Sequence, residues 1–299
     1  MPANHYGVEH AHSTTVLSMR ILVTGQRGNV GAVVSAHLTD QGHEITGFDI
    51  ADGHDVLDAG AVRRAAEGCT AIVHLAAIAN DSAGTPEQIM AVNVLGTWHV
   101  LLAAQAAGAS RVVHFSSAQV FGMAEGERLP DYFPLDDEHP RLAGRPYGIS
   151  KVLSEDLCAG FGGRSGIATV CLRPVHVCAP DFYERAERQW QADPASEWTP
   201  FWEFGAFVDA RDVASAVECA LTAQVDGHVC ALLCADDIAA SAPSLEMAGR
   251  LTPDVPVRGP DRYRADPNHA LVDCSAAKTL LGWQPRYRWS ARAPLRASR

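Results

Sequence analysis

Tyr147 and Lys151 stand four residues apart in a stretch whose pattern predicts a helix over 147–159, so both side chains project from one face. A phenol with a free pKa of about 10 cannot accept a proton near neutrality unless a neighbouring cation stabilises its phenolate. Lys151 is such a cation. Ser117 follows a predicted strand over 111–116, and the C-terminal end of a parallel strand is where open α/β sheets bind ligands. A phenol, an ammonium and a hydroxyl together can orient a substrate oxygen and move a proton to or from it. Taken alone, a Tyr and a Lys at this spacing are more often solvated helix residues, so the trio needs a frame.

The frame begins with Gly25-Gln26-Arg27-Gly28-Asn29-Val30-Gly31, between a predicted strand over 20–24 and a helix over 30–40 that stops at Gly42. Glycines there let the backbone turn tightly and approach a pyrophosphate at the helix N-terminus, although any tight strand-to-helix turn can use glycine. Asp49, 18 residues after Gly31 at the end of a second strand, has about the spacing of the carboxylate that binds adenine ribose hydroxyls. It would repel a ribose phosphate, which favours NAD over NADP. Arg27 is the countervailing charge, with a solvated loop arginine as the plainer alternative. Asp55 and Val56, in Asp55-Val56-Leu57-Asp58, would bring a carboxylate or backbone group beside the adenine; Asp58 serves equally as a helix N-cap. A nicotinamide held in this way would carry hydride while Tyr147 moves the proton.

Around these residues, apolar runs and helical stretches alternate as in βαβ units on a parallel sheet. Further strands are expected near 54–57 and over 71–75 and 168–173, with a long helical stretch over 85–107. The fold class is therefore α/β: a Rossmann-type doubly wound parallel sheet with a small C-terminal substrate lobe. Residues 1–18 read as a disordered extension and 19–180 as the dinucleotide-binding domain. Residues 181–206 form a first substrate-lobe segment, 207–235 return to the main domain with 207–223 rejoining the sheet, and 236–299 complete the lobe. Met19 is a possible translation start.

At 299 residues the chain can bury a sizeable core without disulfides or structural metal. A net charge of −11, from 24 basic and 35 acidic residues, argues against nucleic acid as a partner. The eight cysteines form no CxxC pair and have no histidine at zinc-ligand spacing, so no metal is expected and the thiols are read as reduced groups of a cytoplasmic protein. No unbroken apolar run approaches the ~18 residues of a membrane helix, so no membrane association is expected.

More motifs follow in order: His74-Leu75-Ala76-Ala77, Asn93-Val94-Leu95-Gly96-Thr97, Ser116-Ser117-Ala118-Gln119-Val120-Phe121-Gly122, Tyr147-Gly148-Ile149-Ser150-Lys151, Leu172-Arg173-Pro174, and Phe207-Val208-Asp209-Ala210-Arg211-Asp212-Val213-Ala214. With the glycine turn they resemble the extended short-chain dehydrogenase/reductases, the NAD-dependent epimerase/dehydratase family, over residues 20–220. The resemblance implies Tyr147 as acid/base, Lys151 as its partner and Ser117 as substrate-orienting residue. It implies cofactor contacts from Gly25, Arg27, Gly28, Asn29, Val30, Gly31, Asp49, Asp55, Val56, Leu75, Ala76, Ala77, Asn93, Ser116, Tyr147, Lys151, Pro174 and His176. It also implies a homodimer formed by the helices carrying Asn93 and Tyr147.

Departures from the family narrow the chemistry. Dehydratases and decarboxylases of this group resemble one another in carrying acidic residues after the Ser or Thr; here stand Ala118 and Gln119, which cannot supply the extra acid and base that elimination needs. His176 replaces a family Asn near nicotinamide and substrate, with a structural hydrogen-bonding role as the alternative. Only 26 residues, 181–206, separate Pro180 from Phe207, without a basic pair to grip a nucleoside diphosphate. A short insert resembles the family's uronate dehydrogenases, which need one Arg for a carboxylate; Arg185 is assigned that role against the alternative of a solvated helix charge. Gln119, His176, Arg185 and Ser117 are thus the expected substrate contacts. Trp190, Trp198, Phe201, Trp202 and Phe204 either wall a sugar ring or close the lobe's core. The expected function is NAD-dependent oxidation, reduction or epimerisation of a sugar or sugar-like alcohol, ketone or hemiacetal. The alternatives are a nucleotide-sugar epimerase with tightly bound NAD and, from another class, a non-catalytic dinucleotide sensor, which would not need the Tyr and Lys.

Overall fold

The computed structural model describes residues 18–123, 126–179, 181–192, 204–240 and 242–290. Among them the strands are β1 (Arg20–Thr24), β2 (Glu44–Phe48), β3 (Ala71–His74), β4 (Arg111–Phe115), β5 (Ala168–Pro174), β6 (His176–Cys178), β7 (Phe207–Asp209) and β8 (His228–Leu233). The main sheet is entirely parallel, in the order β2-β1-β3-β4-β5-β8. Its helices are α1 (Asn29–Asp40), α2 (Ala59–Ala66), α3 (Pro86–Met90), α4 (Gly96–Ala107), α5 (Pro146–Ser165), α6 (Phe182–Ala192) and α7 (Ala210–Thr222), followed by α8 (Ser244–Leu251), α9 (Asp261–Ala265) and α10 (Ser275–Leu281).

Side chains alternate across each strand, so the apolar runs fill both faces. Ile21, Val23, Val73, Val113 and Leu172 enter one core with α1 and α7, while Leu22, Ile72, Val112 and Cys171 enter another with α2, α4 and α5. The chain leaves β1 outward for β2 and returns on the other side for β3. That reversal opens a crevice at the C-terminal ends of β1 and β3, where ligands bind in such sheets.

Two sequence expectations give way. Residues 54–57 form no strand: a single 3₁₀ turn, Ile50–Asp52, follows β2, and Asp55 and Asp58 use their carboxylates to accept the N–H groups of Leu57 and Ala61. Local side-chain bonds of this kind compete with a ladder. Asp58 thereby caps α2, while buried Val56 packs on Gly96 and its carbonyl accepts His99 Nδ1 at 2.9 Å. Phe207–Asp209 does not rejoin the main sheet either; β7 pairs with β6 in a separate two-stranded sheet, and β8 supplies the sixth main strand.

The long helix expected over 85–107 is α3, a π-helical turn (Ala91–Leu95) and α4, opened by a Thr85–Gln88 capping box with Pro86 at its first position. An 18-residue window of Pro86–Ala107 has a mean hydropathy of 1.4, enough by length and composition for a membrane span, although polar residues such as Asn93 and His99 interrupt the apolar run. In this fold its apolar residues Val100, Leu101 and Ala104 are buried on the sheet. Past α10, Trp283 is buried and donates Nε1–H to Asp212 O (3.0 Å) and Ser215 Oγ (3.1 Å), fastening the C-terminal segment to α7. The expected extension over residues 1–18 lies outside the described residues except Ser18, whose hydroxyl donates to Gly42 O.

Candidate active site

The turn after β1 is tight because its glycines touch backbone. A Cβ on Gly31 would lie 2.0 Å from Gly25 O, and one on Gly25, at φ +73°, would lie 2.6 Å from Ala76 N. β1 and the Leu75-Ala76 segment therefore close on each other, with Leu75 N bonded to Thr24 O. Gly28 and Asn29 are exposed where α1 begins, and α1 has no side-chain cap, so its first N–H groups and positive dipole end remain available to an anion. Val30 is half-buried behind them.

Asp49 is buried at the end of β2. Its two carboxylate oxygens accept Arg27 N–H and Ala51 N–H, each at 2.9 Å, which fixes the carboxylate beside the glycine turn. Arg27 turns its guanidinium to Asp52 (2.9 Å), so its charge is matched by a second carboxylate. A snug glycine turn, an open helix start and a fixed carboxylate fit a nicotinamide dinucleotide with free ribose hydroxyls.

A chain of buried hydrogen bonds runs from this turn to α5. Thr24 Oγ1 meets His74 Nδ1 (2.7 Å), His74 Nε2 meets Thr97 Oγ1 (3.1 Å), and Thr97 donates to Asn93 O. Asn93 donates Nδ2–H to Ile78 O (3.0 Å) and Ser150 Oγ (2.9 Å) and accepts Ile78 N–H through Oδ1 (2.8 Å). Asn93 thus pins the loop after β3 to the helix carrying Tyr147. The π-helical turn that holds it is the kind of local widening often found at functional sites. Burial, with a contribution from Lys151, pushes the His74 imidazole down to about 3, so it is neutral.

Ser117, Tyr147 and Lys151 converge at the C-terminal end of β4. Tyr147 is buried with Ser117 close enough to act on its phenol, and Lys151 Nζ lies 5.6 Å from the Tyr147 ring centroid. Lys151 donates to Phe115 O at 2.7 Å, which anchors the ammonium to the last residue of β4. Burial pushes the phenol up to about 12, against the opposing effect of Ser117, and pushes Lys151 down to about 8. The unliganded pair therefore consists of a neutral phenol beside an ammonium that loses its proton readily. Asp81, unremarked in the sequence, accepts Tyr147 N–H at 2.8 Å and supplies the N-terminal cap that Arg145 does not provide.

Ser116, expected to contact the cofactor, has its side chain engaged within the fold. Its buried hydroxyl donates to Glu155 Oε1 at 2.6 Å, and Glu155 also takes both ends of the Arg173 guanidinium (2.8 Å each) and Arg141 (3.2 Å). Burial raises the Glu155 carboxyl, but the Arg173 bonds and charge outweigh it and hold the group below its ordinary value. The network clamps α5 to β4 and β5. Neither Glu155 nor Arg141 belonged to a recognised motif, because their partners are distant in sequence.

On the substrate side, Gln119 is half-buried in the turn after Ser117, and Ala118 lines a small apolar cavity with Met123, Phe133, Val175 and Phe204. Phe204 packs edge-to-face on Phe133 at 4.8 Å, which makes it core. Trp198, Phe201 and Trp202 lie outside the described residues. Pro174 is buried at the end of β5, and half-buried His176 on β6 is kept neutral by burial and by the nearby Arg185 charge. Arg185 is itself exposed on α6 and pairs with Asp181 at 3.3 Å. Asp55, whose carboxylate is engaged with Leu57 N, and Ala77, half-exposed after β3, complete the predicted set.

Comparison with known proteins agrees with this geometry. The chain is 32% identical over 176 residues to a uronate dehydrogenase of Pseudomonas syringae pv. tomato, covering 54% of this chain and 61% of that protein. It is 29% identical over 221 residues to a UDP-glucose 4-epimerase of Rhizobium meliloti, covering 64% and 65%. The chain thus matches less than two thirds of either relative's length. A short-chain dehydrogenase/reductase superfamily protein of Agrobacterium tumefaciens, solved with bound NAD, shares the fold with a TM-score of 0.67 at 23% identity, covering 93% of this chain and 97% of that one. The model of the NAD dependent epimerase/dehydratase family matches residues 21–231, and the chain belongs to that family.

Proposed function

We propose that the chain is an NAD-dependent dehydrogenase acting on a secondary alcohol or hemiacetal of a sugar or sugar acid. The observation that carries this is the convergence of Ser117, buried Tyr147 and Lys151, whose Nζ lies 5.6 Å from the Tyr147 ring, at strand ends near the glycine turn. Gly25, Arg27, Gly28, Asn29, Val30 and Gly31 would hold the dinucleotide at its pyrophosphate, Asp49 at the adenine ribose, and Leu75, Ala76, Ala77, Asn93, Pro174 and His176 toward its nicotinamide end. Bound NAD supplies the hydride acceptor. Ser117 donates to the substrate oxygen and aligns it, and Tyr147 takes its proton.

The proton step has an energetic cost. A phenol at about 12 costs roughly 7 kcal/mol to ionise at pH 7. One positive charge near 4 Å contributes about 4 kcal/mol at an effective dielectric of 20. Lys151 lowers this cost, and the positive charge of an oxidised nicotinamide would lower it further when bound.

Support for a free sugar acid over a nucleotide sugar comes from the short segment after β6, the Ala118-Gln119 pair and the similarity to a uronate dehydrogenase; Arg185 or a neighbouring cation would grip the carboxylate. The second reading, an epimerase that recycles its own NADH, is favoured by the similarity to a UDP-glucose 4-epimerase. Half-exposed Leu95, Leu102 and Leu153 on the segment carrying Asn93 and on α5 support a homodimer through those helices. The eight cysteines form no disulfide, which accords with a reducing, cytoplasmic setting. Incubation with uronic acids, free aldoses and nucleotide sugars in excess NAD decides the main question. Steady NADH production from a uronic acid or aldose supports the proposal; product without net NADH supports the epimerase, and no turnover of any sugar refutes both.

A further inference from the structure

Strand register assembles a cluster that no sequence spacing announces. Cys171 on β5 lies beside Cys230 on the edge strand β8, and two pairs earlier Thr169 lies beside His228. Two residues apart on their strands, these side chains share one face of the sheet. The two sulfurs and a ring nitrogen of His228 all fall within 4.8 Å of one another, with Cys230 Sγ 3.3 Å from His228 Nε2.

The tautomer follows from the next bond. Thr169 Oγ1 reaches Cys158 O at 3.1 Å and His228 Nδ1 at 2.9 Å; with its proton on Cys158 O it accepts from His228, and Nδ1 then carries the hydrogen. The Nε2 lone pair is then directed at the thiols. An imidazole oriented by a hydrogen bond on its far nitrogen is the arrangement that metal-binding histidines use.

We propose that Cys171, His228 and Cys230 form a Zn²⁺ site with three protein ligands and a fourth position for water. Zn²⁺ displaces the two thiol protons to solvent and takes the imidazole through Nε2, leaving a neutral Zn(thiolate)₂ unit suited to a half-buried location. Tetrahedral bonds of about 2.3 Å to sulfur and 2.0 Å to nitrogen put ligand atoms roughly 3.3–3.8 Å apart, a small contraction of the present cluster. Cys171 is fully buried, whereas His228 and Cys230 are partly exposed on the edge strand and give the ion a way in. The site lies on β5 and β8, with buried Cys171 near enough to Lys151 to act on its charge, and would clip the edge strand to the sheet.

Freshly reduced, tag-free chain titrated with Co²⁺ tests this. His5, His10 and His12 near the N-terminus can also bind metal, but residues 1–17 contain no cysteine, so near-ultraviolet thiolate-to-cobalt absorption does not come from them, and Cys230→Ser assigns it among the thiols. One equivalent of Co²⁺ should develop that band, and Zn²⁺ should abolish it. Cys230→Ser should lose it, and Thr169→Val, which keeps every ligand, should weaken Zn²⁺ binding about 10- to 100-fold. His228→Ala, at the partly exposed edge, provides a variant expected to keep the fold, checked by circular dichroism. Absence of the band in the native chain, its persistence in Cys230→Ser, or unchanged Zn²⁺ affinity in a folded His228→Ala overturns the site.

Discussion

Replacing Asp49 by Ser tests the cofactor assignment at the residue that sets it. Each Asp49 oxygen accepts one backbone N–H at 2.9 Å, from Arg27 and from Ala51, and the remaining acceptor capacity is what a pair of ribose hydroxyls would use. Serine retains a cap for Ala51 N–H but forgoes the bond to Arg27 N–H, a loss of about 1 kcal/mol and a few degrees of melting temperature. Hydrogen bonds to a charged acceptor contribute about 1.5–3 kcal/mol, so NAD affinity should fall roughly 10- to 150-fold. Removing the carboxylate also removes its repulsion of a ribose phosphate, on the order of 2–4 kcal/mol in a partly screened site. The ratio of kcat/KM for NAD to that for NADP should therefore drop by at least about 100-fold, with Arg27 aiding NADP once released from Asp52. Initial rates with each cofactor and calorimetric titration of each provide the assay. A melting temperature lowered as stated with an unchanged NAD/NADP ratio would show that Asp49 is only a cap and refute the assignment.

Three other outcomes follow from the same geometry. Gly31→Ala places a Cβ 2.0 Å from Gly25 O, so the turn must open; NAD binding should fall more than tenfold, with a stability loss of about 1–3 kcal/mol by thermal melt. Glu155→Gln strips the partner charge from buried Arg173 and should cost about 3–5 kcal/mol in denaturant unfolding, more than any exposed ion pair such as Arg264–Asp261. The His74 imidazole is neutral down to about 3 when folded but protonates near 6.5 when unfolded, so its contribution is present above pH 6.5 and lost as the pH falls; at pH 5 the loss is about 2 kcal/mol, with buried His114 adding in the same direction. His74→Gln should flatten the melting-temperature profile between pH 7 and 5, and an unaltered slope would contradict the shift.

Much of this was legible in the residues because it is local. The glycine turn, the i,i+4 Tyr147–Lys151 pair and the Asp58 cap depend on neighbours within a few positions, and the strand and helix periods follow from one-dimensional patterning. The strand expected at 54–57 failed because two aspartates bind their own backbone, a competition that β-propensity does not register. The placement of β7 beside β6, the Glu155 clamp on Ser116 and the Asp81 cap on α5 depend on partners 31 to 66 residues away, set by register and packing. The cysteines show the same limit: spacing along the chain argued against a metal, while the parallel pairing of β5 and β8 brings two of them to one histidine.

The central claim is that Tyr147 moves the proton and does not merely fill the site. Tyr147→Phe removes one oxygen and leaves the buried ring in place. Turnover with the best sugar substrate and NAD binding by calorimetry, measured on the same preparation, separate the two possibilities. The account predicts a loss of at least 100-fold in kcat, the scale of general acid–base catalysis, with NAD affinity within about threefold of the native chain. Undiminished kcat with intact NAD binding would contradict it.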